Sequence, residues 1–192
     1  MHICRYALAS DAMGRAIWSR AKVGWQPLLM QTDRLEVRPP MEADRDRFVE
    51  LFRDLDFMVF SDGVHDLESA HLRFDAMLRT ASELPFAKQP VIERGTGTIV
   101  GYSGIAWCDL EDTRCLEFGY RLAPEARGRG YATEAGREIL ALATDTFRGD
   151  LFAMIDPRNS ASRAVITKLD FTFWRQAEIN GYNDDLYRRT FT

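Results

Sequence analysis

The segment that most restricts how this chain can fold is Arg127-Gly128-Arg129-Gly130-Tyr131-Ala132, a glycine-rich turn between two stretches of different periodicity. Before it, residues 116–122 combine aromatic and aliphatic side chains of high strand propensity, and Pro124 stops pairing beyond them. After it, Ala132, Ala135, Ile139, Ala143 and Phe147 recur at helical spacing, leaving Glu134, Arg137 and Glu138 for other faces. The turn therefore joins a strand directly to a helix. Its glycines let backbone curl closely around a ligand, the helix N-terminus offers unpaired N–H groups and a positive dipole end, and Arg127 and Arg129 add charge. Such a turn suits a pyrophosphate; the same pattern also serves as a plain tight connection.

At 192 residues, 46% hydrophobic and 28% charged, the chain has enough apolar material for one sizeable core. A formal charge of -4 argues against broad nucleic-acid binding, so the arginines around 127–129 read as a local site for a small anion. Cys4, Cys108 and Cys115 are odd in number and lack metal-ligand spacing, which fits free thiols in a reducing, cytoplasmic setting and no bound metal. Nothing approaches the ~18 consecutive apolar residues of a membrane span, and there is no internal repeat.

The first thirty residues differ from the rest: Arg5, Arg15, Arg20 and Lys22 against Asp11 give a net +3 and leave -7 for the remainder. This leader lacks the continuous apolar core and cleavage site of a secretory signal. Residues 1–30 are expected to be an extension outside the core and residues 31–192 a single domain.

Within that domain, Leu35 and Val37 suggest a first strand ended by Pro39-Pro40, since Pro40 disfavours helix at its predecessor. Residues 44–56 place Phe48, Leu51, Phe52 and Leu55 on one helical stripe. A second helix is predicted from Asp66 or Leu67 to about residue 84, with Asp66 as its cap and Ala70, Phe74, Met77 and Leu78 inward. A hairpin follows over 90–93 and 98–107, then a third antiparallel strand at 116–122. Beyond the glycine turn and its helix come a strand at 151–155, reached by a crossover and hence parallel, a helix at 160–169, and strands at 171–176 and 186–191. The fold class is mixed α/β: a mostly antiparallel sheet of six to seven strands flanked by about four helices.

These segments carry a family resemblance. Thr32-Asp33-Arg34-Leu35 with Arg38-Pro39, then Val100-Gly101-Tyr102-Ser103-Gly104, then Glu117-Phe118-Gly119-Tyr120 with Arg127–Ala135, and finally Asn159-Ser160-Ala161-Ser162 through Lys168-Leu169-Asp170-Phe171 occur in the order of the GNAT superfamily of acyl-CoA-dependent N-acyltransferases. Within it the chain is similar to the RimJ/RimL branch, whose best-known members acetylate ribosomal-protein N-termini. The superfamily's pyrophosphate turn has Gln or Arg, two residues, Gly, one residue, then Gly or Ala, which Arg127, Gly130 and Ala132 satisfy. One departure is Asp170, where the family usually has Gly; Asp tolerates left-handed backbone better than most residues.

The resemblance implies a sheet splayed between its fourth and fifth strands, with backbone of Tyr120, Arg121 and Leu122 free to pair with the pantetheine arm of acetyl-CoA. An N–H near Leu122 would polarise the thioester carbonyl. Arg127, Gly128, Arg129, Gly130, Tyr131, Ala132 and Thr133 would hold the pyrophosphate, and Asn159 and Ser162 the pantetheine or thiol end. Transfer to an amine needs a base for the ammonium proton and an acid for the thiolate. Glu117 matches a Glu of the branch and is the candidate base; an ion-paired strand Glu is the alternative. The Tyr that many members use as acid falls on Ile166, which cannot donate, so Ser162 becomes the candidate; its alternative is an ordinary helix-start serine, as Asn159 can be an ordinary cap.

Phe57, Phe60, Trp107 and Tyr187 are candidate walls of the acceptor site, in the acidic remainder of the chain, although an aromatic connector such as 57–63 is more often a piece of core. The expected activity is acetyl transfer from acetyl-CoA to a primary amine, on a protein N-terminus or a small molecule, by a monomer or homodimer without metal, nucleic acid or membrane. The alternative is a regulatory or interaction module that binds acyl-CoA without transfer. A dinucleotide-dependent oxidoreductase is excluded because the turn lacks the third glycine and an acidic ribose partner.

Overall fold

Stretches of period two form strands and stretches of period 3.6 form helices, and their order builds one mixed sheet with helices on both faces. The computed structural model describes residues 17, 18 and 29–192 apart from 62, 85, 112 and 180. Among the described residues the order is β1 (Ile17–Trp18), β2 (Met30–Gln31), β3 (Leu35–Val37), α1 (Arg45–Phe52), α2 (Leu67–Glu83), β4 (Gln89–Glu93), β5 (Thr98–Leu110), β6 (Thr113–Leu122), α3 (Tyr131–Thr146), β7 (Phe147–Ile155), α4 (Ser160–Lys168), β8 (Thr172–Ile179) and β9 (Tyr182–Phe191). Eight strands run in the order β2-β3-β4-β5-β6-β7-β9-β8, and β1 pairs with the start of β7. Every pairing is antiparallel except β6 with β7.

The sheet exceeds the six to seven strands expected because β1 and β2 are two residues each, too short to show a period. The expectation of an extension over residues 1–30 falls mostly outside the described residues. Of those described, Ile17–Trp18 pair with Phe147–Arg148, and Met30 begins β2.

Two apolar clusters hold the layers together. One lies between the sheet and helices α3 and α4, with Phe118, Ile139, Leu140, Leu151, Leu169 and Phe171 among its members. The other lies under α1 and α2 and contains Phe48, Phe52, Phe57, Phe74 and Tyr102. Burying each such Phe contributes about 1.5–3 kcal/mol relative to leaving it in water. Asp66 caps α2 as expected, accepting from the Ser69 N–H at 2.8 Å.

Helix α1 ends earlier than its stripe suggested. Arg53 and Asp54 donate to Glu50 and Leu51 in a tightened last turn, and Asp54 Oδ1 accepts from the Phe57 N–H at 2.6 Å. Leu55 is consequently 71% exposed, while Phe57 and Met58 take the buried places. Phe147, expected on α3, instead opens β7 and meets the Phe191 ring edge-on at 5.4 Å. Asp170 is left-handed (φ 63), with its N–H on Thr167 O and that of Phe171 on Ile166 O. This is the paired-bond helix stop for which Gly is usual, kept here with Asp. Cys108 and Cys115 face each other across β5 and β6 with sulfurs 3.0 Å apart; Cys4 lies outside the described residues.

Candidate active site

Strands β6 and β7 pair only at Leu116↔Leu151 and Glu117↔Phe152, then part. Beyond Glu117 one edge of β6 has no strand partner among the described residues, and a cleft of about 480 Å³ opens there. Tyr120, Arg121 and Leu122 of β6 line it, with Ala153, Met154 and Ile155 of β7 opposite. The Ala123 N–H is taken by Val100 O on β5, so by strand alternation the N–H and C=O of Leu122 face the open edge. The Leu122 carbonyl accepts from Arg127 Nε at 3.1 Å, which leaves its N–H directed into the cleft.

The cleft reaches the N-terminus of α3. Gly130 is the N-cap residue with φ 81, and Gly128 has φ 71, both in the left-handed region where a side chain costs about 1–2 kcal/mol. Gly128, Gly130, Tyr131, Ala132 and Thr133 all line the cleft, so the first turn of α3 presents N–H groups and a positive dipole end to it. The two arginines of the turn are engaged by protein. Arg127 Nη2 donates to Asp56 O at 2.7 Å; Arg129 pairs with Glu93 and lies 4.5 Å from the Tyr131 ring centre. Tyr131 itself donates to Glu93 at 2.5 Å. An anion at this turn would meet backbone N–H groups first, with the arginines acting as braces.

Side chains on β6 alternate between the two faces of the sheet. Phe118 and Tyr120 point toward α3 and α4: Phe118 meets Phe171 at 6.0 Å, and the Tyr120 hydroxyl is 3.1 Å from Ser162 Oγ. Asn159 Oδ1 caps α4 by accepting from the Ser162 N–H at 3.0 Å, which sets Ser162 beside Tyr120 at the cleft wall. Burial raises the Tyr120 phenol above its ordinary pKa, while Ser162 and Arg127 partly oppose it. Tyr120 therefore keeps its proton near neutral pH. Sequence reasoning used only its backbone; its hydroxyl stands beside that of Ser162 at the cleft wall.

Glu117, Gly119 and Arg121 point to the other face, toward α1 and α2. Glu117 Oε2 lies 3.6 Å from Lys88 Nζ, and a Cβ built on Gly119 would lie 3.4 Å from the end of the Lys88 side chain. Glu117 holds the Lys88 ammonium above its ordinary pKa against the effect of burial. Lys88 escaped sequence reasoning because nothing local marks it; pairing of β4 with β5 and β5 with β6 brings it over Gly119.

Of the four expected acceptor walls, Phe57 and Phe60 line the cleft. Trp107 and Tyr187 are not among its lining residues. Trp107 sits five positions after Tyr102 on β5, so alternation sends it to the opposite face, where Arg114 lies 4.7 Å from its ring centre. Tyr187 is buried in the α3/α4-side core and meets the Phe173 ring at 5.7 Å. No helix among the described residues is long and apolar enough to cross a membrane.

Comparison with known proteins agrees with this geometry. The sequence model described as "Acetyltransferase (GNAT) domain" matches residues 34–172. A curated relative, the uncharacterized protein YkkB of Bacillus subtilis (strain 168), is 32% identical over 142 residues, covering 72% of this chain and 81% of that protein. An acetyltransferase structure from Agrobacterium tumefaciens str. C58 superposes with a TM-score of 0.73 at 24% identity, over 89% of this chain and 99% of the other. A GNAT superfamily phosphinothricin acetyltransferase from Sinorhizobium meliloti, solved in complex with AcCoA, gives 0.64 at 19% identity, over 82% and 88% of the two chains. These structural likenesses show a shared fold. With the domain match spanning most of the chain, a relative above 30% identity, and a sheet that opens at a glycine-capped helix, the protein belongs to the GNAT acetyltransferase family.

Proposed function

We propose that residues 31–192 form a cytoplasmic N-acetyltransferase domain of RimJ/RimL type that moves an acetyl group from acetyl-CoA to a primary amine. The observation that carries this reading is the parting of β6 from β7 directly above the N-terminus of α3. The open β6 edge offers main-chain groups to the pantetheine amides, and the turn at Gly128–Tyr131 offers N–H groups to the pyrophosphate.

The residues divide the chemistry between the two faces of the sheet. Glu117 accepts a proton from the acceptor ammonium, directly or through water. The neutral nitrogen attacks the thioester carbonyl, whose developing oxyanion is met by the Leu122 N–H. The C–S bond then breaks, the departing thiolate takes a proton from the Tyr120 and Ser162 hydroxyl pair, which are 3.1 Å apart, and the extra proton on the new amide nitrogen leaves through water, restoring that pair. Lys88 beside Glu117 favours loss of the acceptor's proton by placing a second positive charge near the amine.

Calorimetric titration of acetyl-CoA into the full chain tests this, beside an Arg127→Glu, Gly130→Glu double variant. Binding that the double variant abolishes supports the reading. A folded wild type that binds no acetyl-CoA refutes it, and binding without CoA release from any amine favours the non-transferring acyl-CoA module.

A further inference from the structure

Two cations, Lys88 and Arg121, stand with the carboxylates of Glu117 and Asp156 in the lining of the cleft. Glu117, Gly119 and Arg121 share one face of β6, spaced by about 7 Å per pair of residues, and Lys88 lies across Gly119 between the two charged side chains. Glu117 is paired with Lys88 at 3.6 Å. The half-buried Arg121 guanidinium has only uncharged partners: Met58 Sδ at 3.0 Å and the Phe60 carbonyl at 3.3 Å. No carboxylate among the described residues pairs with it. Its other neighbours are the rings of Phe57 and Tyr102, 5.7 and 5.9 Å from its central carbon. Lys88 Nζ is also 5.9 Å from the Tyr102 ring. Burial opposes ionisation of the Tyr102 phenol, yet Arg121, Lys88 and Arg73 together bring it below its ordinary pKa. A guanidinium held among apolar groups without a counter-charge has lost hydration that an incoming anion would offset.

Building on the acetyl-transfer reading, we propose that the acceptor is a small amine carrying its own carboxylate, an amino acid rather than a diamine or a protein N-terminus. Its amine lies at Glu117, its carboxylate on the planar guanidinium of Arg121 with Lys88 alongside, and its apolar portion against the exposed ring of Phe60. A diamine would bring a second cation toward Lys88 and Arg121. A peptide N-terminus carries a neutral amide where Arg121 has no carboxylate partner among the described residues.

The test uses the full chain, acetyl-CoA, and matched acceptors: methionine and phenylalanine, their amides, a diamine, and a short peptide with a free N-terminus. The free acids should exceed their amides by about tenfold or more in kcat/KM, as expected for a charged hydrogen bond. Arg121→Met should bring the two within about threefold, through the KM of the acid, while Arg121→Lys keeps the preference. Acetyl-CoA binding by each variant checks that its cleft is intact. Preference for amides, diamine or peptide overturns the proposal, as does an acid preference that survives Arg121→Met. A second arm needs no turnover: N-acetylmethionine and its amide are titrated into CoA-loaded protein. Equal binding overturns the carboxylate site. Tighter binding of the acid, lost in Arg121→Met, supports that site even where no amine is acetylated, in which case only the acetyl-transfer reading falls.

Discussion

Gly136, in the middle of α3, offers a quantitative test of how tightly the helix is pressed onto the sheet below the cleft. At an exposed helical site Gly→Ala stabilises by about 0.8–1.0 kcal/mol. Here a Cβ would lie 2.7 Å from Leu169 Cδ1, 3.1 Å from Phe118 Cζ and 3.4 Å from Leu169 Cδ2. Both neighbours are 1% exposed, so neither can turn outward to solvent. Leu169 is also held by the bonded C-terminus of α4, where its N–H donates to Val165 O and Ile166 O. Overpacking of this kind costs about 1–3 kcal/mol, which offsets the propensity gain and leaves a net loss of up to about 2 kcal/mol. For a chain of this size Gly136→Ala should lower Tm by up to about 8 °C, with a matching fall in urea midpoint at constant slope. Leu169→Ala alone should cost about 2–5 kcal/mol, and less by about 1 kcal/mol or more in the Gly136→Ala background, where the new methyl occupies part of the vacated space. A Gly136→Ala protein more stable than wild type, or strict additivity with Leu169→Ala, would refute this account of the packing.

Glu117→Gln should lower kcat/KM for amine acetylation by about 10²–10⁴-fold, while calorimetry shows acetyl-CoA bound nearly as in wild type. Replacing Tyr120 by Phe should reduce kcat, and combining it with Ser162→Ala should cost more than either change alone, because each hydroxyl can replace the other as donor to the thiolate; stopped-flow thiol release distinguishes the cases. Asp44 is buried, accepts two bonds from Arg38 at 2.7 Å and one from the Met41 N–H at 2.8 Å, so Asp44→Ala should cost about 1–3 kcal/mol in urea unfolding, leaving Arg38 with Glu36 at 3.7 Å and the Pro39 carbonyl. Arg158, hydrogen-bonded to Asp156, holds that carboxyl at about 2, below its unfolded value near ~3.9. Its contribution is therefore present above the unfolded value and lost as pH falls through the folded one. The stability difference between wild type and Arg158→Gln should shrink as pH is lowered from about 5 toward 2, and a difference independent of pH would count against the pairing.

The repeating patterns of this chain were legible without coordinates. The helical stripes of α2 and α3, the Asp66 cap, the strand at Leu35–Val37, the parallel entry of β7 and the left-handed stop at Asp170 follow from local chemistry: side-chain periodicity, hydrogen-bonding caps and the backbone freedom of particular residues. The glycine turn at 127–132 was legible likewise, because a left-handed backbone beside a helix start is encoded in adjacent residues. What the sequence could not contain was which distant side chains share a face. Trp107 and Phe57 look equally suited to an acceptor wall, yet strand alternation turns Trp107 away from Tyr102 while the early end of α1 carries Phe57 inward. The arginines of the turn read as phosphate ligands until Asp56 and Glu93, brought close by the tertiary fold, engage them. Lys88, on no motif, reaches Glu117 only because two successive pairings place β4 and β6 on either side of β5. Local propensity and pattern thus determined the elements and the glycine turn, whereas the charge and shape of the cleft were decided by tertiary packing, since they depend on distances between side chains remote along the chain.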